Sequence, residues 1–249
     1  MLADVETTDD AVLGGRLVLR QPKKGHRFGH DAILLAAAVG ATAAEMAAEF
    51  GGGVGAAGLA LAQRVPGMKV TLIEIDPVLA DLARHNAARN GLADRVTVAT
   101  LDIVASAQVF PAESFGHVLM NPPFNDPARQ KVSPDVARAF AHAAASGTLA
   151  RWIAGAAHLL TPSGTLTLIW RADGLDEVLA ALSGFGGIAI RPVHPKPGTA
   201  AIRVLVRAMK GSGVPLSILP GLTLNGADGK PSVEAEAILR GGAPLPMTP

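Results

Sequence analysis

Val118-Leu119-Met120-Asn121-Pro122-Pro123-Phe124 reads as a buried strand that stops abruptly and opens into a loop. Two consecutive prolines donate nothing to a sheet ladder and impose an extended backbone. The strand therefore ends at Asn121, with that side chain and the carbonyls after it held at the strand's carboxyl edge. Open α/β sheets keep their ligands at this edge, so the stretch predicts both a fold class and the place of a site. Asn121, Pro122, Pro123 and Phe124 are its candidate catalytic residues.

Working backwards, the same strand-then-turn grammar recurs. Glu45 to Phe50 predicts a first strand, running into Gly51-Gly52-Gly53-Val54-Gly55 and an apolar helix from Ala56 to Val65. Glycines at such a turn let the backbone bend sharply and let a cofactor approach with no Cβ in the way. Lys69 to Ile75 is a second strand ending in Glu74. Asp76-Pro77 then supplies an N-cap followed by proline at the first helical position, and Gly91 a helix stop. A third strand, Arg95 to Leu101, ends in Asp102, and Gly116 to Met120 is the fourth. Beyond the Asn121 loop, Leu149 to Leu160 reads as a helix, Thr161-Pro162-Ser163-Gly164 as a turn and Thr165 to Trp170 as the fifth strand. Ile188 to Val193 and Ala200 to Ala208, joined without a helix, read as an antiparallel hairpin at one sheet edge. Strands alternating with helices at this spacing give a Rossmann-like, doubly wound, mostly parallel α/β sheet of seven strands. In front of it, Met1 to Asp10 is an acidic arm, and Asp31 is read as the N-cap of a Leu/Ala-rich helix to Val39.

Composition bounds the rest. The chain has 249 residues, 49% hydrophobic and 17% charged, enough to bury a full core, and a net charge of +1 that selects no partner by itself. Its distribution is more telling: Ala11 to His30 holds Arg16, Arg20, Lys23, Lys24 and Arg27 without an acid, and Val178 to Ala227 is again free of acids, with Arg191, Lys196, Arg203, Arg207 and Lys210. With no cysteine there are no disulfides, no thiolate metal sites and no thiol nucleophile. The longest apolar run, Ala32 to Ala44, is too short to span a bilayer. The expectation is a soluble, cytoplasmic protein with no membrane partner and no metal; the oligomeric state is not readable.

The glycine turn alone leaves the cofactor open, since Gly53-Val54-Gly55-Ala56-Ala57-Gly58 also fits the dinucleotide pattern and hence an oxidoreductase. Three strand-end carboxylates bear on the choice. Glu49 stands where a cofactor's ammonium could be neutralised, Glu74 where both ribose hydroxyls could be accepted, and Asp102 where an adenine amino group could be; a dinucleotide needs only the second.

In this order and spacing, Glu49 to Gly55, Glu74, Asp102 and Asn121-Pro122-Pro123-Phe124 resemble the class I S-adenosylmethionine-dependent methyltransferases that act on exocyclic or amide nitrogens. Gly25-His26-Arg27-Phe28-Gly29-His30-Asp31-Ala32-Ile33-Leu34-Leu35-Ala36, the hairpin and Asp228-Gly229-Lys230 more narrowly resemble the bacterial family that methylates adenine 37 in the anticodon loop of the valine tRNA. The resemblance implies S-adenosylmethionine held by Phe28, Glu49, Gly51, Gly53, Gly55, Glu74, Ile75, Asp102, Ile103 and Asn121. It also implies an arm over 1–30, a methyltransferase domain over 31–210 and an extension over 211–249 packed on it. Phe124 stands where that family usually has Tyr, and either ring can stack on a base. The expected substrate is RNA, a tRNA anticodon loop, with the basic stretches on its phosphates. A glutamine amide in a protein and a guanine amino group in rRNA use the same four residues and stay open. The short segment before the glycine turn favours nucleic acid, because the amide enzymes carry a sizeable helical domain there.

Overall fold

The structure, a computed structural model, describes residues 5–25, 27–123 and 134–248, the stretch 134–146 as backbone only. Phe124 and His26 lie outside the described residues. The chain begins with strands β1 (Thr7–Val12) and β2 (Leu17–Pro22), paired antiparallel as a hairpin. Helix α1 (His30–Ala38) follows, then β3 (Met46–Phe50), α2 (Ala56–Arg64), β4 (Lys69–Glu74), α3 (Pro77–Arg89), β5 (Val96–Thr100), the short α4 (Ser106–Val109) and β6 (Phe115–Met120). After the Asn121 loop come α5 (Pro134–Leu159), β7 (Leu160–Arg171), α6 (Leu175–Ala181), β8 (Phe185–His194), β9 (Arg203–Lys210), β10 (Ser217–Ile218), β11 (Leu222–Thr223) and α7 (Val233–Leu239).

Among the described residues, nine strands form the main sheet, in the order β5-β4-β3-β6-β7-β9-β8-β10 with β11 also on β8. The first five are mutually parallel, and β9 enters antiparallel to both β7 and β8. The hairpin is thus where the sequence puts it, extended outward by two short strands that the Pro- and Gly-rich tail had concealed. Both faces are covered. One carries α1, α2, α3 and α7 over a core including Leu34, Leu59, Leu72 and Leu205; the other carries α5 and α6 over Phe50, Met120, Leu168 and Trp170. A strand buried on both sides must be apolar throughout, which is why Val118 to Met120 shows no alternation.

Several local readings hold, and two are corrected. Asp76 caps α3, its side chain accepting from the backbone N–H of Val78 and Leu79, with Pro77 in the first turn and Gly91 at φ 67° after the end. Asp31 is not the cap of α1. Gly29 is, and Asp31 sits inside the first turn, where it pairs with Arg203 at 2.8 Å and ties α1 to the start of β9. Nor are Thr161–Gly164 a turn ahead of the fifth strand, which already begins at Leu160. They form an irregularity inside β7, where the partner of Phe115 is Leu160 and that of His117 is Thr165, with Ser163 at φ 63°.

Two arginines far apart in sequence finish neighbouring helices. Arg64 donates to the carbonyls of Ala36 and Val39 at the end of α1, and Arg95 to those of Ala62 and Val65 at the end of α2. Guanidinium groups satisfy carbonyls that have no partner within their own helix and oppose the negative end of its dipole.

The amino-terminal hairpin is fastened by Asn86 and Asn90, one turn apart on α3. Asn86 accepts from Arg20 N and donates to Arg20 O, and Asn90 does the same with Val18. The two amides occupy the hydrogen-bonding edge of β2 as a neighbouring strand would. No helix among the described residues is long and apolar enough to cross a membrane.

Candidate active site

The sheet order reverses between β3 and β6, because the chain runs outward from β3 through β4 to β5 before returning to β3's other side. Such a switch point leaves a crevice at the carboxyl ends of the two strands. Phe50 faces both Met120 on β6 and Ile73 on β4 in register, so Gly51, Asn121 and Glu74 leave neighbouring strands side by side. The glycine turn, the Asn-Pro-Pro stretch and the Glu74 carboxylate are therefore brought together by register alone. Asp102 follows on the next strand out.

The glycine turn is held by both neighbours. The N–H groups of Gly51 and Gly52 donate to Ile73 O at 2.9 and 3.1 Å, and Gly53 N–H donates to Glu74 Oε2 at 2.7 Å. Gly51, Gly53 and Gly55 have φ of 67°, 54° and 89°, a region that side chains with a Cβ avoid. At Gly53 the space a Cβ would take is empty, leaving an open approach to the backbone. At Gly51 it is filled: a Cβ would stand 2.6 Å from Cη2 of Trp152, on α5. Gly58 is closed as well, by Leu72 and by the Glu49 carboxylate.

The two acids flanking the turn differ in what they can reach. Glu74, 7% exposed, accepts from Gly53 N–H with one oxygen and from Asp76 N–H with the other, at 2.8 Å. A carboxylate offers about four acceptor positions, so two remain for other donors. Glu49, 5% exposed, lies beneath the turn rather than beside it, its Oε2 accepting from Gly58 N–H at 2.7 Å. Burial pushes its carboxyl up to about 8; the Gly58 N–H opposes the rise and the nearby Glu74 charge adds to it. Glu49 is accordingly neutral at pH 7.

A stability prediction follows from that neutral acid. Below about 4.5 the group is protonated folded or unfolded; between there and about 8 only the folded chain keeps the proton, so rising pH removes stability. The slope from one proton is at most about 1.4 kcal/mol per pH unit, and it ends above the folded value. Urea midpoints of Glu49→Gln should fall less between about pH 5 and pH 8 than those of the unsubstituted chain. Equal slopes would show that the buried carboxyl is already ionised.

The remaining predicted residues take the following places. Asp102 is exposed and accepts from Val104 N–H at 2.9 Å, while Ile103 is buried. Ile75 leaves the end of β4 with 64% of its surface exposed, an apolar side chain presented beside Glu74. Phe28 is half-buried against the α1 face of the core, and its N–H donates to Gln21 Oε1. Pro122 is buried and Pro123 exposed. Asn121 is the most telling: its Oδ1 is buried and accepts no hydrogen bond among the described residues. Leaving an acceptor buried and unpaired costs about 1–3 kcal/mol, so such an atom at a cleft calls for an incoming donor.

Two residues with no motif of their own also belong to the site. Asn86, fully buried, holds the hairpin and donates to Val54 O in the glycine turn at 3.0 Å. Trp152 packs edge-on against Phe50, ring centroids 6.4 Å apart, and over Gly51. An amide-bearing helix residue and a lone aromatic carry no signal in a single sequence.

The basic stretches are less available than their composition suggests. Arg20 pairs with Asp9 and Arg27 with Asp10, both at 2.9 Å, and Lys23 lies 3.5 Å from Glu6. The acidic arm neutralises the loop. Arg191 is spent on the carbonyls of Pro220 and Pro246, binding the tail to β8. Lys24, Lys196 and Lys230 are exposed and make no ion pair among the described residues. Lys196 sits in the β8–β9 turn, at the sheet's carboxyl edge. Asn225 fastens the turn carrying Lys230 beside it, donating through N and Nδ2 to Pro195 O.

A doubly wound sheet with a glycine turn, strand-end acids and an Asn-Pro-Pro stretch at its switch point defines a nucleoside-cofactor enzyme of the Rossmann-like class. Residues 27–182 match the model of the methyltransferase small domain. A tRNA1(Val) (adenine(37)-N6)-methyltransferase of Porphyromonas gingivalis is 36% identical over 158 residues, and the match spans 61% of this chain and 61% of that relative. One of the same name from Bacteroides thetaiotaomicron is 31% identical over 183 residues, 72% of this chain and 75% of its own. The crystal structure of a predicted O-methyltransferase from Agrobacterium tumefaciens superposes with a TM-score of 0.74 at 30% identity, over 87% of this chain and 98% of that one. The chain belongs to the methyltransferase small domain family.

S-adenosylmethionine is the methyl donor that goes with this family and fold, and the residues present fit it. The backbone at Gly53 is open, Glu74 has unused acceptor positions, Ile75 offers an apolar surface and the Asn121 acceptor is unpaired.

Proposed function

We propose that this chain methylates the exocyclic amino nitrogen of an adenine in tRNA, with S-adenosylmethionine as donor, and that the unpaired buried Oδ1 of Asn121 is the observation that carries the reading. An amino group on an aromatic ring has its lone pair delocalised and is a poor nucleophile. Asn121 Oδ1 and the Pro122 carbonyl each accept a hydrogen bond from one of its N–H groups, which returns electron density to nitrogen and fixes the direction of its lone pair. The bound cofactor supplies an electrophilic methyl group on a sulfonium. Glu74 holds the ribose hydroxyls with its free acceptor positions, Ile75 and Ile103 border the adenine ring, and Asp102 accepts from the adenine amino group. Phe124 stacks on the target base. No covalent enzyme intermediate is needed.

An anticodon loop suits this cleft because its bases are already partly unstacked, and its phosphates are met by cations at the rim. The family resemblance, the tRNA names of the Porphyromonas and Bacteroides relatives and the free lysines at the carboxyl edge support that partner. A tRNA substrate goes with a cytoplasmic location.

The cations that remain unpaired should carry the salt dependence. Replacing Lys24, Lys196 and Lys230 together by Ala is expected to lower the slope of log affinity against log salt by about two to three units, while S-adenosylhomocysteine binding is unchanged. Titrating tRNA binding against salt for both proteins measures it. A slope untouched by the triple substitution would move the phosphate contacts elsewhere, and no salt dependence in either would remove the nucleic acid.

A second reading has one observation in its favour: the Agrobacterium structure, which covers nearly all of this chain, is described as a predicted O-methyltransferase. A hydroxyl acceptor has one proton to give where an amino group has two, and would leave one of the two Asn-Pro acceptors idle.

A further inference from the structure

Trp152 lies outside every motif, yet it bridges the parts of the site. Its six-membered ring covers Gly51, the first residue of the cofactor turn, so closely that even a methyl group there would collide with Cη2 at 2.6 Å and Cζ3 at 3.2 Å. It makes a T-shaped contact with Phe50, the last residue of β3, at an interplanar angle of 81°. One turn later on α5, Gly155 faces Phe50 and Ile103, a Cβ there reaching ordinary contact at 3.5 and 3.8 Å. This helix therefore seats on the carboxyl ends of both β3 and β5. The indole is only half-buried, so part of it is left for solvent or ligand.

We infer that Trp152 is a positioning residue for methyl transfer, its indole fixing Gly51 against α5 so that the cofactor turn is set on the helix that covers the carboxyl ends of β3 and β5. The inference rests on the methyltransferase reading. A rigid aromatic with two torsions is well suited to the task, because it contributes a large flat contact with little freedom to lose. Glycine at position 51 is then required twice: for φ of 67° and for the absence of a Cβ beneath the ring.

The test uses the full-length chain with S-adenosylhomocysteine as probe. Trp152→Ala is expected to weaken binding by calorimetry about tenfold and raise the KM for S-adenosylmethionine by a similar factor, with the KM for tRNA unchanged. Trp152→Phe, which keeps a flat ring over Gly51, should restore both to within about threefold of the starting values. Intrinsic fluorescence supplies a signature that general destabilisation does not produce. The chain has two tryptophans, and Trp170 is fully buried within β7, so most of the ligand-induced emission change of the unsubstituted protein should be lost in Trp152→Phe. If that change persists in Trp152→Phe, or if Trp152→Ala binds the probe as well as the unsubstituted chain, the positioning role is wrong. Should Trp152→Ala not fold, the fluorescence comparison with Trp152→Phe decides alone. Failure of the unsubstituted protein to bind the probe at all would instead overturn the methyltransferase reading.

Discussion

Asn121→Ala should lower turnover about a hundredfold or more while S-adenosylhomocysteine affinity stays within a few fold. Removing one preorganised hydrogen-bonding group from a site of this kind costs about 2.7–4 kcal/mol of transition-state stabilisation. The asymmetry comes from where the Oδ1 atom is. It is buried at the end of β6, and no described residue donates to it, so the loss falls on the step in which an amino group would occupy it. The Oδ1 atom that the substitution removes is partner to no described residue. Single-turnover rates beside calorimetry separate the two quantities. An equal fall in turnover and cofactor affinity would recast Asn121 as a structural residue of the cleft.

Glu74→Ala is expected to act on binding instead, and by two routes. Lost charge-assisted hydrogen bonds to the ribose are worth about 1.5–3 kcal/mol, or about ten- to a hundredfold in affinity. The same carboxylate also accepts from Gly53 and Asp76 N–H, so its removal leaves the glycine turn without its tie to β4. The variant should therefore melt at a lower temperature even without ligand. Glu74→Gln, which keeps an acceptor for one of these donors, should recover part of the stability and less of the affinity. Calorimetry with S-adenosylhomocysteine and ligand-free thermal unfolding check the pair; unchanged affinity in folded Glu74→Ala would place the cofactor elsewhere.

The parts of this site that can be read from sequence are those written into short stretches of chain. Asn121-Pro122-Pro123 announces a strand end because proline cannot pair, Asp76-Pro77 a helix start because each residue suits its position, and Gly51 to Gly55 a sharp turn because of what glycine lacks. Their assembly is legible too, since strands ending in register place Gly51, Asn121 and Glu74 together once the sheet order is given. What stays hidden is set by contacts between residues far apart. Asn86 and Asn90 look like polar positions on an exposed helix, and only the hairpin 66–72 residues earlier shows them standing in for a strand. The acid-free run from Ala11 to His30 reads as free positive charge, yet Arg20 and Arg27 meet Asp9 and Asp10, which precede the run. Glu49 looks equivalent to Glu74 from its place near a strand's end. Register decides otherwise: Glu49 pairs with Leu72, two residues short of Glu74 on the same face of the sheet, so it lies under the helix that begins after the turn, where Gly58 leaves room for it. Trp152 has no local pattern at all.

The central claim is that the cleft at Asn121 methylates an adenine amino group in tRNA. The most direct measurement incubates the protein with methyl-labelled S-adenosylmethionine and bulk tRNA, digests the RNA to nucleosides and identifies the labelled product, with rRNA and protein fractions alongside. The expected result is label in N6-methyladenosine from the tRNA fraction, abolished by Asn121→Ala. Label on a ribose or other hydroxyl, on a guanine amino group of rRNA or on a glutamine amide of protein, with none on adenine of tRNA, would contradict it.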